Sequence, residues 1–479
     1  MDYFDLNIEK VLEHWPIGFA IREIIANALD EQAITATDDP TIRKITEGVW
    51  EISDFGRGLR YQHLTQKENT EKRRHRDVIG QFGMGLKDAL AVFHRRGIDV
   101  TISSPHADIT TVVRPKGGFT DITTLHAAVH PPSQPRRVGT TATLRGVGDR
   151  DIEEAKQFFL RYSGDKLLEE TNYGQVLAKP RRRAPANIYV KGLLVAQEEN
   201  FLFSYNVTSL TKGLRQALNR ERSNVGRSAY ADRIKAILKQ CRTAEVAHSL
   251  AEDLAMFTTG RMHDELTWND IALHACKVLA THDKVVFVSQ YQLEYGGPQL
   301  DYARDEGYRL VLVPDDIAHR LGTLTDFDGN PLVDLDRYRD SWNDSFSFTF
   351  IDPTDLTISE RQVFALTKPL IEAADIRLPQ LGVRDILISE TMRLNTAGRE
   401  IVGVYEPAEK RIIIRRDRLN NPAEYCGTLL HELTHAKSGT TDGTLAFEEA
   451  LTTQLGHLAV ALLGTTAHNS GYRPSAPRS

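Results

Sequence analysis

His431, Glu432 and His435, in the run CGTLLHELTHA, form an HExxH string. Residues four apart lie on one face of a helix, so the two imidazoles converge on one metal ion and Glu432 stands beside them as base for an attacking water. That combination suits zinc-assisted peptide-bond hydrolysis. Tetrahedral zinc with one open position needs a third protein ligand. Glu448, in AFEEALTTQLG, is preferred, because Leu451 and Leu455 at i+3 and i+7 would share its inward stripe. Glu449 is turned about 100° away, and Asp442 is a further alternative. Tyr425 and His468 are at hand as oxyanion donors, but spacing selects neither.

A second group of chemistry-bearing residues lies near the start. Glu23, Asn27 and Asp30 occupy i, i+4 and i+7 in REIIANALDEQ, one polar face able to hold a metal and a water. Asp54-Phe55-Gly56-Arg57-Gly58 follows a strand, where the glycines permit a tight turn and Asp54 presents a carboxylate. Gly80, Gly83 and Gly85 in IGQFGMG let backbone N–H groups approach phosphates at a helix start, and Lys87 adds a charge. Gly139-Thr140 opens another strand and offers a hydroxyl.

The elements that must position these groups follow from periodicity. Ile17, Ile21, Ile24, Ile25 and Leu29 recur at helical spacing beyond Pro16, which predicts an amphipathic helix. Strands are predicted at 49–53, 98–103, 109–114 and 140–144 and a helix at 86–95, which reads as two layers with a mixed sheet. After KPRRRAPA, a strand is predicted at 188–195, then alternating strands and helices that include KVVFVS and RLVLV. The stretch 326–340 reads as a linker. Beyond it the pattern predicts a helix at 360–374, a hairpin of 401–405 with 411–415, and two helices, the first carrying HELTH. The hairpin would offer an edge strand to an extended substrate.

Taken in this order, the four N-terminal motifs resemble the GHKL ATPase superfamily: DNA gyrase, the 90-kDa heat-shock chaperone, histidine kinases, MutL and MORC proteins. The resemblance spans about the first 160 residues. It implies bound ATP and Mg2+, with Glu23 as base for the attacking water, Asn27 as magnesium ligand and Asp54 reading the adenine amino group. It also implies that Gly56, Gly58, Gly80, Gly83, Gly85 and Lys87 surround the nucleotide and that Thr140 bonds on the adenine side. Glu23 favours hydrolysis over the kinase branch, since a base must aim at water. The run IYVKGLLVAQEENFLFSYN with LNRERSN looks like the transducer region of the chaperone and MutL branches. There Arg222 best matches a basic residue that reaches the γ-phosphate, with Arg220 and Lys212 as alternatives. The HELTH segment with Glu448 resembles the gluzincins; with Asp442 it would be aspzincin-like.

Composition sets the outer limits. The chain has 479 residues, 41% hydrophobic and 26% charged, with a formal net charge of -6, ordinary values for several globular domains and no argument for nucleic-acid binding. KRRHR at 72–76 and KPRRR at 179–183 read as solvated loops. Three widely separated cysteines exclude a disulfide framework and a cysteine zinc cluster, in keeping with a reducing cytoplasm. The N-terminus does not read as a signal peptide, and no apolar run is long enough to span a membrane.

The expectation is an α+β multidomain chain: a GHKL two-layer sandwich at 1–165, a transducer-like α/β region at 166–325 and a zincin-like domain at 326–479. Its expected function is an ATP-regulated zinc metallopeptidase, homodimeric through the ATPase domain, acting on a protein substrate in stress or defence. The rival is a chaperone-like or MORC-like ATPase whose zincin domain is a binding module.

Overall fold

In the computed structural model, residues 2–6, 14–64, 78–79, 85–116, 121–181, 183–218 and 225–469 are described. Two compact units emerge, 1–282 and 283–479. This division falls inside the second of the three segments expected from sequence. Both units mix helices and sheets, so the chain is an α+β protein.

Unit 1 is built on a seven-stranded sheet with the order β1-β6-β5-β4-β7-β3-β2. Its strands are β1 (Asp2–Asp5), β2 (Thr41–Thr46), β3 (Val49–Ser53), β4 (Asp99–Ser103), β5 (Asp108–Pro115), β6 (Thr123–His130) and β7 (Thr141–Arg145). Every neighbouring pair is antiparallel, not mixed as expected. The physical reason is short connections: a parallel neighbour needs a long crossover, whereas β2–β3 and β4–β5 are joined by tight turns. Helices α1 (Ile17–Thr35), α2 (Gly85–Arg95) and α3 (Asp149–Lys156) share one core with the sheet. Ile21, Ile24 and Ile25 of α1 are buried there, but so are Arg22, Glu23 and Asp30. The polar face of α1 is thus enclosed rather than solvated.

A five-stranded mixed sheet completes unit 1, ordered β11-β10-β12-β9-β8. It contains β8 (Lys166–Thr171), β9 (Gly174–Ala178), β10 (Ala186–Val190), β11 (Leu193–Glu198) and β12 (Ser204–Val207). The expected single strand at 188–195 is the β10–β11 hairpin. Lys191 (φ 52°) and Gly192 (φ 80°) turn it, both in the left-handed region that two-residue hairpin turns require.

Unit 2 begins with β13 (Val285–Val288) and β14 (Arg309–Leu312), a parallel pair. The stretch expected to be a linker holds the helix Leu335–Ser345, capped by Asp334 accepting from the Arg337 N–H. A four-stranded sheet follows with the order β15-β16-β18-β17, formed by β15 (Phe350–Ile351), β16 (Asp385–Ser389), β17 (Gly403–Glu406) and β18 (Arg411–Arg415). The expected helix at 360–374 is two, Ile358–Phe364 and Thr367–Ala373. Pro369 has no N–H to continue the ladder and is tolerated in the first turn of the second. Helices α4 (Pro422–Ser438) and α5 (Leu445–Asn469) end the described chain. Among the described residues no helix is long and apolar enough to cross a membrane.

Candidate functional site

The HELTH segment sits in the middle of α4. Asn421 caps the helix by accepting from the Ala423 N–H at 2.9 Å, Pro422 occupies its first position, and Gly439 (φ 65°) ends it. Tyr425, Leu429, Leu430 and Leu433 bury one face against β16 and β18 neighbours such as Ile388, Ile412 and Ile414. That packing turns His431 and His435 out together. Their Nε2 atoms lie 3.1 Å apart. The Asp442 Oδ1 is 2.9 Å from the first and 3.1 Å from the second.

These three atoms form one face of a small tetrahedron. Ligand bonds of about 2.0–2.1 Å would give edges of roughly 3.3 Å, close to the spacing found. His435 Nδ1 lies 2.7 Å from the Thr440 carbonyl, so it carries the proton and Nε2 presents its lone pair. With Nδ1 occupied, Nε2 is the nitrogen that His435 turns toward the Asp442 oxygen, 3.1 Å away. The donor set therefore fits zinc: two imidazoles, one carboxylate and an exposed side. Phe447 backs the site, with its ring 4.3 Å from that of His435 and 4.8 Å from that of His431.

Asp442 takes the place expected of Glu448. The stripe of α5 that faces inward is Phe447, Leu451, Gln454 and Leu458, not Leu451 and Leu455; Leu455 is 50% exposed. Glu448 and Glu449 accordingly fall on exposed positions. The third donor comes instead from the loop between the helices, where Gly443 (φ 72°) follows Asp442. Phe447 and Thr440 carry no chemical signature, so spacing did not single them out. Tyr425 is fully buried with its hydroxyl 2.5 Å from the Thr367 hydroxyl, which gives it a packing role. The side chain of His468 lies outside the described residues.

Glu432 is 5% exposed, and burial above all, with the negative charge of Asp442, pushes its carboxyl up to about 7. The imidazole of His435 and the Tyr405 backbone N–H act in the opposite sense. It is a carboxyl able to change protonation state near neutrality close to the His435 imidazole.

In unit 1 the pairing of β3 with β7 unites motifs 86 residues apart in sequence. The Asp54 N–H donates to the Thr140 carbonyl at 2.9 Å, and the Asp54 Oδ1 accepts from the N–H groups of Gly56 (3.0 Å) and Thr140 (3.2 Å). Burial raises the carboxyl of Asp54, and these N–H donors pull it back. The Thr140 hydroxyl accepts from the Leu59 N–H at 2.9 Å. Gly139 (φ 74°) passes so close that a Cβ there would sit 2.0 Å from the Asp54 carbonyl oxygen, and Gly58 (φ 83°) lies against Pro105.

Glu23 is buried on α1 and accepts from the Arg22 Nη2 at 2.8 Å. Arg22 is itself enclosed, its guanidinium 4.7 Å from the Phe19 ring and 5.3 Å from those of Trp15 and Phe158. Asn27 is half-buried on the same helix, and Asp30 accepts from the Ile79 N–H at 2.6 Å. Gly85 opens α2, while Lys87 is buried with its ammonium 5.4 Å from the Phe4 ring. Gly80, Gly83, Arg220, Arg222 and the charged run 72–76 lie outside the described residues, and Lys212 is exposed at a helix start. A lysine that sequence reasoning missed is Lys191, at the β10–β11 tip, which donates to the Val78 carbonyl at 3.3 Å.

The chain is thus an α+β protein with two histidines and an aspartate grouped in one unit and several buried carboxylates in the other. Residues 150–244 match the family described as the Mycoplasma pneumoniae MPN635 N-terminal domain. An uncharacterized protein of Mycoplasma pneumoniae is 36% identical over 244 residues, covering 50% of this chain and 97% of that protein. This chain belongs to the same family. A second uncharacterized protein of that organism is 35% identical over 112 residues, 23% of this chain and 32% of the other.

Proposed function

We propose that this chain is an ATP-regulated zinc metallopeptidase in which a GHKL-type ATPase region gates cleavage of a protein substrate. The observation that carries the reading is the triangle of His431, His435 and Asp442 with Glu432 buried beside it. Zinc held by these three donors would supply Lewis-acid polarisation of a scissile carbonyl. Glu432 takes the proton of the attacking water and returns it to the leaving amine. β17 lies at the sheet edge beside α4 and can align an extended peptide by main-chain pairing.

The nucleotide half of the proposal rests on the paired Asp54 and Thr140 and on the enclosed Glu23 and Asn27. Asp54, fixed by two backbone donors, is suited to reading an exocyclic amine; Glu23 is suited to orienting water. The residues at 1–165, 166–325 and 326–479 are read as ATPase, transducer-like and zincin-like regions, with dimerisation through the first. ATP gates the peptidase only if it binds one state of the chain more tightly than the other.

The test is a pair of variants assayed with MgATP and a pooled peptide substrate. Glu432→Gln should abolish cleavage and spare ATP hydrolysis, and Glu23→Gln should abolish hydrolysis and uncouple cleavage from ATP. Cleavage surviving in Glu432→Gln would sink the peptidase reading, and purified protein should carry about one zinc per chain.

A further inference from the structure

Strand β17 approaches α4 so closely at Gly403 that a side chain there would make its neighbours on the helix move. An ideal Cβ on Gly403 would lie 2.7 Å from Glu432 Oε1, 3.0 Å from Glu432 Cγ and 2.7 Å from Thr428 Cγ2. Gly403 is not among the residues with left-handed backbone; it is paired with Ile414 in an ordinary antiparallel ladder. Backbone geometry therefore accepts any residue there. What favours glycine is space, filled by the Glu432 carboxylate and the Thr428 methyl.

The surrounding atoms give that carboxylate a seat. Thr428 lies one turn before Glu432 on α4, so its methyl forms one wall, and the Tyr405 backbone N–H, two residues along β17, favours the charged carboxylate. The strand is anchored on its other side, where Tyr405 and Val404 pair with Ile412 and Ile413 of β18. β17 cannot withdraw from α4 without breaking that ladder.

We infer that Gly403 is a positioning residue, whose missing side chain leaves the Glu432 carboxylate room to stand in its working place. The inference deepens the peptidase reading and rests on it for the role of Glu432, while the contact itself stands apart from that reading. A Cβ at 403 pushes the carboxylate aside and leaves His431, His435 and Asp442 where they are. A displacement near 1 Å of a reacting group costs roughly 100-fold in rate.

The experiment is a thermal-denaturation cycle on the full chain with Gly403→Ala, Glu432→Ala and the double variant, with zinc content measured on each. Pooled-peptide cleavage is measured on the wild type and Gly403→Ala. Gly403→Ala should lower the melting temperature when Glu432 is present and less in the Glu432→Ala background, where only the Thr428 methyl stays in the way. Its zinc content should match the wild type while cleavage falls by roughly 100-fold. Equal destabilisation in both backgrounds, or cleavage by Gly403→Ala at the wild-type rate, would overturn the inference. Loss of zinc in Gly403→Ala would overturn it too, by showing general disruption of the site. A wild type that cleaves nothing while the cycle shows coupling would sink the peptidase reading and uphold the seating of Glu432 by Gly403.

Discussion

Asp442 and Glu448 lie six residues apart, and the choice between them turns on which side of α5 packs. The inward stripe through Phe447 and Gln454 leaves Glu448 facing out, whereas the preceding loop folds Asp442 back over both imidazoles. Asp442→Asn keeps the shape and removes the charge, so it should weaken zinc binding at least about 10–100-fold in competition with a chromophoric chelator. Glu448→Gln should leave the affinity unchanged; equal weakening would return Glu448 to the ligand set. At the other site, the enclosed Arg22 makes the choice of variant matter. Glu23→Ala deletes a carboxylate ion-paired with a buried guanidinium, a loss of roughly 3 kcal/mol, whereas Glu23→Gln keeps an acceptor in place. The two should differ clearly in melting temperature although both lack the base. The grouping of the two histidines and the shared helix of Glu23 and Asn27 were legible because i, i+4 spacing fixes a helical face. Asp442 stood as one alternative among three, since spacing along a chain does not say which way a loop folds.

Strands and helices place these side chains, and their own requirements can be tested separately. Gly139 combines a left-handed φ with a contact that no side chain can enter, so Gly139→Ala should cost roughly 2–4 kcal/mol. Urea denaturation would measure it, and a near-zero change would mean that β3 and β7 do not meet as described. In unit 2, the Arg416 guanidinium and then the Thr357 N–H hold the Glu360 carboxyl down to about 2. An unfolded glutamate titrates at about 4.3, above the folded value, so this stabilisation is complete above that pH and is lost as pH falls toward about 2. Glu360→Gln should therefore melt lower than wild type at pH 7, and the gap should close by about pH 2–3. Most of these elements could be read from periodicity, including the strand Val49–Ser53 and the helix around HELTH. Those misread were broken by single residues: the turn at Lys191-Gly192 and the helix boundary before Pro369. A β-branched apolar run looks alike whether it is one strand or two.

For the whole chain, two units with separate cores predict separate ligand responses. In hydrogen exchange, MgATP should protect amides of 1–282 around Asp54 and Thr140, and chelation of zinc should loosen amides of 422–445. A ligand at 100 times its Kd adds about 2.7 kcal/mol to the unit that binds it. Protection by MgATP confined to 283–479 would refute the placement of the nucleotide site. The sequence by itself marked the candidate residues in both halves of the chain, because residue type and short-range periodicity are local properties. Only the tertiary structure decided that Asp54 meets Thr140, that Asp442 closes the triangle and that Gly403 seats Glu432. Those are long-range contacts, set by which faces bury against a common core, and no local pattern records them.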